Sequence, residues 1–112
     1  MAMTESEFLQ LADRCLSRFE QTMETMADQL DLELDIERQG YVLTLDFDRF
    51  GKIIVNAQAP MMELWVAARS GGFHFACRDG RWQNTRDSQS WGASLSRIVS
   101  EQIGQAVVLP EL

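Results

Sequence analysis

Apolar residues recur at helical intervals over the first thirty positions and at every second position after that. Phe8, Leu11, Ala12, Cys15, Phe19, Met23, Met26 and Leu30 form one stripe when each residue advances by about 100°. Thr4 and Glu7 have capping-box spacing, so the pattern predicts a helix from Thr4 to Leu30. Glu20, Glu24 and Asp28 lie at successive four-residue steps away from the apolar stripe. From Leu30 to Glu37 the period drops to two. Leu30, Leu32, Leu34 and Ile36 fall on one side, and Asp31, Glu33, Asp35 and Glu37 on the other. That alternation predicts a half-buried strand with a fully acidic outer face. Arg38-Gln39-Gly40 turns the chain into a second strand, Tyr41 to Asp48, with Thr44, Asp46 and Asp48 outward.

The centre, Lys52 to Phe75, reads as three strands. Ile53-Ile54-Val55 is a β-branched run that Pro60 interrupts, because proline cannot donate to a ladder. Leu64-Trp65-Val66 starts the next strand, and Gly71-Gly72 reverses the chain into Phe73-His74-Phe75. Period two puts Leu64, Val66 and Ala68 toward a core, and Glu63, Trp65, Ala67 and Arg69 away from it. Asp79-Gly80 signals a further hairpin into Arg81–Asn84. Asp87 or Ser88 is then placed to cap a second helix carrying Trp91, Leu95, Ile98, Val99, Gln102 and Ile103, with Gly104 near its end. Gly92 and Ser94 make Gly92-Ala93-Ser94 a weaker helix-forming run, which predicts fraying at its start. Val107-Val108-Leu109 predicts a short tail packing across the helices, which Pro110 ends.

The expected architecture is α+β, a two-layer α/β sandwich with two helices packed on one face of a mainly antiparallel sheet. A single domain spanning 1–112 accommodates it. Two helices cover one sheet face and leave the other wet. Trp65 belongs on that open face, with Asn56, Gln58 and His74 as neighbours, while Trp82 and Trp91 belong to the core or its rim.

The formal charge of −7 argues against nucleic acid and for cations or a basic protein surface. It is concentrated: residues 1–48 hold twelve acidic residues and three arginines, whereas residues 49–112 hold five acidic and seven basic ones. The sequence carries no signal-peptide pattern and no membrane-length apolar run, so a soluble cytoplasmic protein is expected. Cys15 and Cys77 fit no zinc or redox spacing and are expected as small buried apolar residues.

An acidic edge strand deters edge pairing, which by itself explains the row at 31–37. Placed directly after an acidic helix, the row also makes a field that recruits metal ions or a basic partner. The donors are oxygens, so Ca, Mg, Mn and iron suit them and a structural zinc site does not. Asp46 to Gly51, DFDRFG, lacks the ligand series and terminal Glu of a calcium loop. Such a surface offers several weak, wet, exchangeable sites.

The order helix–strands–helix with an acidic first helix and strand resembles the frataxin family, in its bacterial branch. The resemblance is carried by Ser6-Glu7-Phe8 with Leu11-Ala12-Asp13, by Asn56-x-Gln58-x-Pro60, by Leu64-Trp65-Val66-Ala67, by Gly71-Gly72-Phe73-His74-Phe75, and by Trp82 and Trp91. It covers nearly the whole chain. What it implies is a small protein of iron–sulfur cluster assembly, a regulator or iron donor that binds ferrous or ferric iron weakly and exchangeably. The implied metal ridge is Glu20, Glu24, Asp28, Asp31, Glu33 and Asp35, with Glu37 at its end. The implied partner site is Asn56, Gln58 and Trp65 with Glu37, for cysteine desulfurase and the iron–sulfur scaffold machinery. The implied metal-free state is a monomer. Gln21, Thr22 and Thr25 depart from the denser acidity of bacterial relatives.

A second reading is an acidic interaction module that regulates a basic partner without a physiological metal role; its binding would be salt-dependent and metal-independent. No nucleophile–base pair, phosphate loop or closed metal site suggests an enzyme.

Overall fold

The computed structural model describes residues 3–112. Helix α1 runs Glu5–Leu30. Its start is the expected capping box: Glu7 N donates to Thr4 Oγ1 (3.1 Å) and Thr4 N donates to Glu7 Oε1 (3.0 Å). The hydrogen bond from the Thr4 backbone, and then the Thr4 side chain, hold the Glu7 carboxyl below its ordinary value. Phe8, Ala12, Cys15, Leu16, Phe19, Met23, Met26 and Ala27 are its buried residues. Each fully buried large side chain contributes about 1.5–3 kcal/mol of transfer free energy.

Six strands follow: β1 Asp35–Gln39, β2 Val42–Asp46, β3 Lys52–Gln58, β4 Glu63–Ala68, β5 Gly71–Arg78 and β6 Arg81–Asn84. They form one sheet in the order β1-β2-β3-β4-β5-β6, every neighbouring pair antiparallel. Helix α2, Trp91–Ile103, closes the order. Both helices pack on one face, where Leu43, Leu45, Ile53, Val55, Leu64, Val66 and Phe75 meet them. Trp91 is the hinge of this core. It meets Phe19 of α1 edge-on (5.3 Å between ring centroids) and Phe75 of β5 (4.9 Å). Trp82 packs edge-on against Phe8 at 6.1 Å.

The strand expected over Leu30–Glu37 is corrected to Asp35–Gln39. Asp31 adopts the left-handed conformation (φ 51°, ψ 46°) and ends the helix, with Leu32 N reaching back to Ala27 O at 2.9 Å. Leu32–Leu34 then run without a ladder, because Asp35↔Asp46 is the last pair and β2 turns away beyond Asp46 into a 3-10 turn at Asp48–Phe50. The faces were read correctly even so: residues 31–37 alternate exposed and half-buried.

The second helix is capped by neither Asp87 nor Ser88. Ser90 Oγ accepts from Ala93 N (3.2 Å), and the tail brings Glu111 to the same end, where Oε1 accepts from Gly92 N (2.8 Å). Asp87 instead holds its own loop by accepting from Gln89 N (3.0 Å). The start of α2 is therefore tied down rather than frayed. The tail packs along α2 through two serines: Ser100 Oγ accepts from Val107 N (2.9 Å) and Ser96 Oγ from Leu109 N (2.8 Å). Gln102 reaches the sheet end, where Oε1 accepts from Arg69 N (2.9 Å) and Nε2 donates to Phe50 O (2.7 Å). Cys15 is buried and Cys77 only half-buried.

Candidate functional site

Two surfaces carry the candidate residues. The first is acidic. Glu24 and Asp28 stand exposed and Glu20 half-buried on the solvent side of α1; Asp31, Glu33, Asp35 and Glu37 are exposed in the connection and β1. Antiparallel pairing puts Asp35 opposite Asp46 and Glu37 opposite Thr44. Asp31, Glu33 and Asp48 share one cleft with Phe47 and Arg49, and Glu33, Asp35, Asp46 and Asp48 line the next, about 440 Å³ in volume. Glu20, Glu24 and Asp28 line neither cleft. The structure thus joins half of the expected ridge to two carboxylates outside it, Asp46 and Asp48. The period-two pattern put those two outward; what it lacked was the register that sets Asp46 against Asp35.

Among the described residues no group of three or more His, Cys, Asp or Glu side chains converges as a metal cage. Oxygen donors spread along open clefts suit a hard cation that keeps part of its water. Asp46 is already half engaged, since its Oδ1 accepts from Asp48 N (3.0 Å) and holds Asp48 in a left-handed conformation (φ 58°). The segment that lacks a calcium loop's ligand series is a 3-10 turn, Asp48–Phe50, closed by Gly51.

The second surface is the uncovered sheet face. Cross-strand pairs align Gln39, Val42, Asn56, Trp65 and His74 in one row across five strands. Glu37, Thr44, Ile54, Ala67 and Gly72 form the next row. The expected neighbours of Trp65 are therefore beside it. Gln58 Nε2 donates to Asn56 Oδ1 (2.6 Å), fixing the two amides against each other. The Trp65 and His74 rings stack, with centroids 4.4 Å apart and planes 7° from parallel. Glu63, which the sequence put on this face without a role, accepts from Trp65 Nε1 (2.9 Å) and lies 3.4 Å from His74 Nδ1. Glu37 is on the same face, so the acidic and aromatic surfaces are continuous.

Arg38 faces the helices, bonding Ser17 (2.8 Å) and pairing with Asp13. One of the three arginines in the acidic half is thus withdrawn from the ridge. Among the described residues no helix is long and apolar enough to cross a membrane.

Comparison with known proteins agrees with this fold. The model of the frataxin-like domain matches residues 1–105. An iron–sulfur cluster assembly protein CyaY from Ralstonia nicotianae is 57% identical over 100 residues, 89% of this chain and 88% of that protein. The CyaY of Herminiimonas arsenicoxydans is 53% identical over 108 residues, 96% of each. Among solved structures, the frataxin of Psychromonas ingrahamii superposes with a TM-score of 0.76 at 30% identity, covering 97% of this chain and all of that one. Trimeric frataxin from Saccharomyces cerevisiae, complexed with ferrous iron, gives 0.72 at 26% identity over 94% of this chain and 90% of that one. The chain belongs to the frataxin family, in its bacterial CyaY branch.

Proposed function

We propose that this chain is an iron-binding protein of iron–sulfur cluster assembly, a regulator or iron donor that holds ferrous or ferric iron weakly and docks on cysteine desulfurase. The observation that carries the reading is the continuity of two surfaces on one open sheet: the carboxylates around Asp35 and Asp46, and the row through Asn56 and Trp65. Support comes from relatives named for iron–sulfur cluster assembly and from the yeast frataxin complexed with ferrous iron.

In this reading iron is cargo. Asp31, Glu33 and Asp35 bind it with Asp46 and Asp48 at the strand end, and Glu20, Glu24 and Asp28 extend the field along α1. Carboxylates open to water exchange a hard cation readily, which suits delivery better than turnover. The protein is not an enzyme, works in the cytoplasm and is a monomer without iron. Asn56, Gln58, Trp65 and Glu37 make the partner contact, and the ridge adds attraction for a basic surface. The absence of a converged metal cage among the described residues favours a second reading, in which the acidic surface only docks the partner.

An amide-resolved NMR titration separates the two. Ferrous iron, added anaerobically, is expected to shift or broaden residues 20–37 with 46 and 48. Purified cysteine desulfurase without metal is expected to perturb Glu37, Asn56, Gln58 and Trp65. If iron leaves the ridge untouched while the desulfurase perturbs it, the docking module is the correct reading. A single size by sedimentation without iron checks the monomer.

A further inference from the structure

The open face carries a small polar arrangement that neither the fold nor the acidic ridge requires. Trp65 and His74 are direct cross-strand partners and stack face to face. Glu63 lies two residues before Trp65, on the same face, and one of its oxygens serves both rings: Oε1 accepts the indole N–H at 2.9 Å and stands 3.4 Å from His74 Nδ1. Its side chain is only 18% exposed, against 46% for His74. A half-buried carboxylate on a face with no helix over it has been drawn down onto the rings rather than out into water.

An unrestrained tryptophan on an open sheet samples several rotamers and loses that freedom on binding. Here the indole is held at its edge by a hydrogen bond and on its face by a parallel ring. We propose that Glu63 and His74 are positioning residues for Trp65: they fix the indole in one orientation before the partner arrives. The inference rests on the docking role given to Trp65 above. It also narrows the contact chemistry. With the N–H engaged by Glu63, Trp65 offers its partner ring surface and no free donor, so the group that meets it is an apolar or cationic side chain rather than a hydrogen-bond acceptor. The hydrogen bonding to the partner then falls to the Asn56–Gln58 amide pair beside it.

The test uses the full chain in two arms. In the free protein, the indole N–H resonance of Trp65 is followed by NMR in Glu63→Leu, Glu63→Gln, His74→Ala and His74→Phe. Glu63→Leu and His74→Ala are expected to move and broaden it. Glu63→Gln keeps an acceptor and His74→Phe keeps a flat ring, so both are expected to restore a single sharp line. In the second arm, affinity for cysteine desulfurase is expected to fall about threefold to tenfold in Glu63→Leu and to recover in Glu63→Gln. An unmoved indole resonance in Glu63→Leu overturns the positioning. Glu63→Gln binding as weakly as Glu63→Leu also overturns it, because the partner would then be reading the charge. Trp65→Ala is the control on the parent reading: unchanged desulfurase affinity there removes the docking role, whatever the resonances show.

Discussion

The carboxylate of Glu111 occupies the place that a side chain on Gly92 would take. A Cβ built on Gly92 would lie 2.6 Å from Glu111 Oε2, while Glu111 Oε1 accepts from Gly92 N at 2.8 Å. The tail therefore uses the missing side chain as its docking point on the first turn of α2.

This makes Gly92→Ala context-dependent. Ala in a helix is ordinarily better than Gly by up to about 1 kcal/mol. Here it displaces Glu111, whose cap is worth about 0.5–2 kcal/mol. Gly92→Ala is expected to be neutral or destabilising in the native sequence and stabilising in a Glu111→Ala background. Urea unfolding of the four members of this cycle measures the sign change, and equal effects in both backgrounds would show that the contact carries no energy.

Ser94 is fully buried in α2, and its hydroxyl has no hydrogen-bond partner. An unsatisfied buried hydroxyl is costly, and Ala is the better helix former. Ser94→Ala is expected to raise stability by about 1 kcal/mol, seen as a higher melting temperature. A loss of stability would mean that the hydroxyl is bonded after all.

Gln102 is the opposite case. Its one side chain satisfies Arg69 N and Phe50 O on two separate loops. Gln102→Leu keeps the volume but strands both backbone groups, and is expected to cost about 2–3 kcal/mol. Hydrogen exchange should then quicken at Arg69 more than at the β3–β4 ladder.

Asp35 and Asp46 face each other as an antiparallel pair. Like charges in that position are destabilising, by about 0.2–1 kcal/mol. Asp35→Asn is expected to raise stability by that amount in low salt, with the gain vanishing in high salt. The same variant should weaken the ferrous shifts at Glu33 and Asp48. Stability gained without any change in the iron titration would separate the ridge's repulsion from its metal binding.

The thiols set an alkaline limit. Burial raises Cys15, with Cys77 adding to it, and burial also raises Cys77, both above the ordinary value of 9.0. A raised folded value means that the unfolded chain releases these protons first. The stability from keeping the thiols protonated is full below about pH 9 and falls as pH rises beyond it. The urea midpoint of the native protein is expected to drop from pH 8 to pH 10, and to drop less in Cys15→Ala.

Helix α1 was legible because its signals agree: a capping box, a continuous apolar stripe and no interruption. The hairpins were legible from Gly40, Gly71-Gly72 and Asp79-Gly80. The over-long first strand shows where pattern stops being structure. Alternation at residues 30–37 records which side chains face the protein, but a ladder also needs a partner, and β2 ends at Asp46. The cap of α2 was missed for a similar reason. Ser90, Asp87 and Ser88 are all capping residue types within four positions, and composition alone does not choose among them. Glu111 lies nineteen residues from Gly92, and only the folded tail brings it there. At the candidate site, the faces of Trp65, Asn56 and His74 followed from period two. The pairing of Asp35 with Asp46 did not, because it depends on the register of the β1–β2 turn.

Every strand in this sheet pairs with its immediate neighbour in sequence. The sheet can therefore assemble hairpin by hairpin, closing only short loops, and such local topologies fold fast for their size. The distant closures belong to the helices: Phe19 meeting Trp91, and Gln102 reaching Phe50. The helix layer therefore carries the largest loop-closure cost in the fold. The open face that carries Trp65 is built from local closures alone.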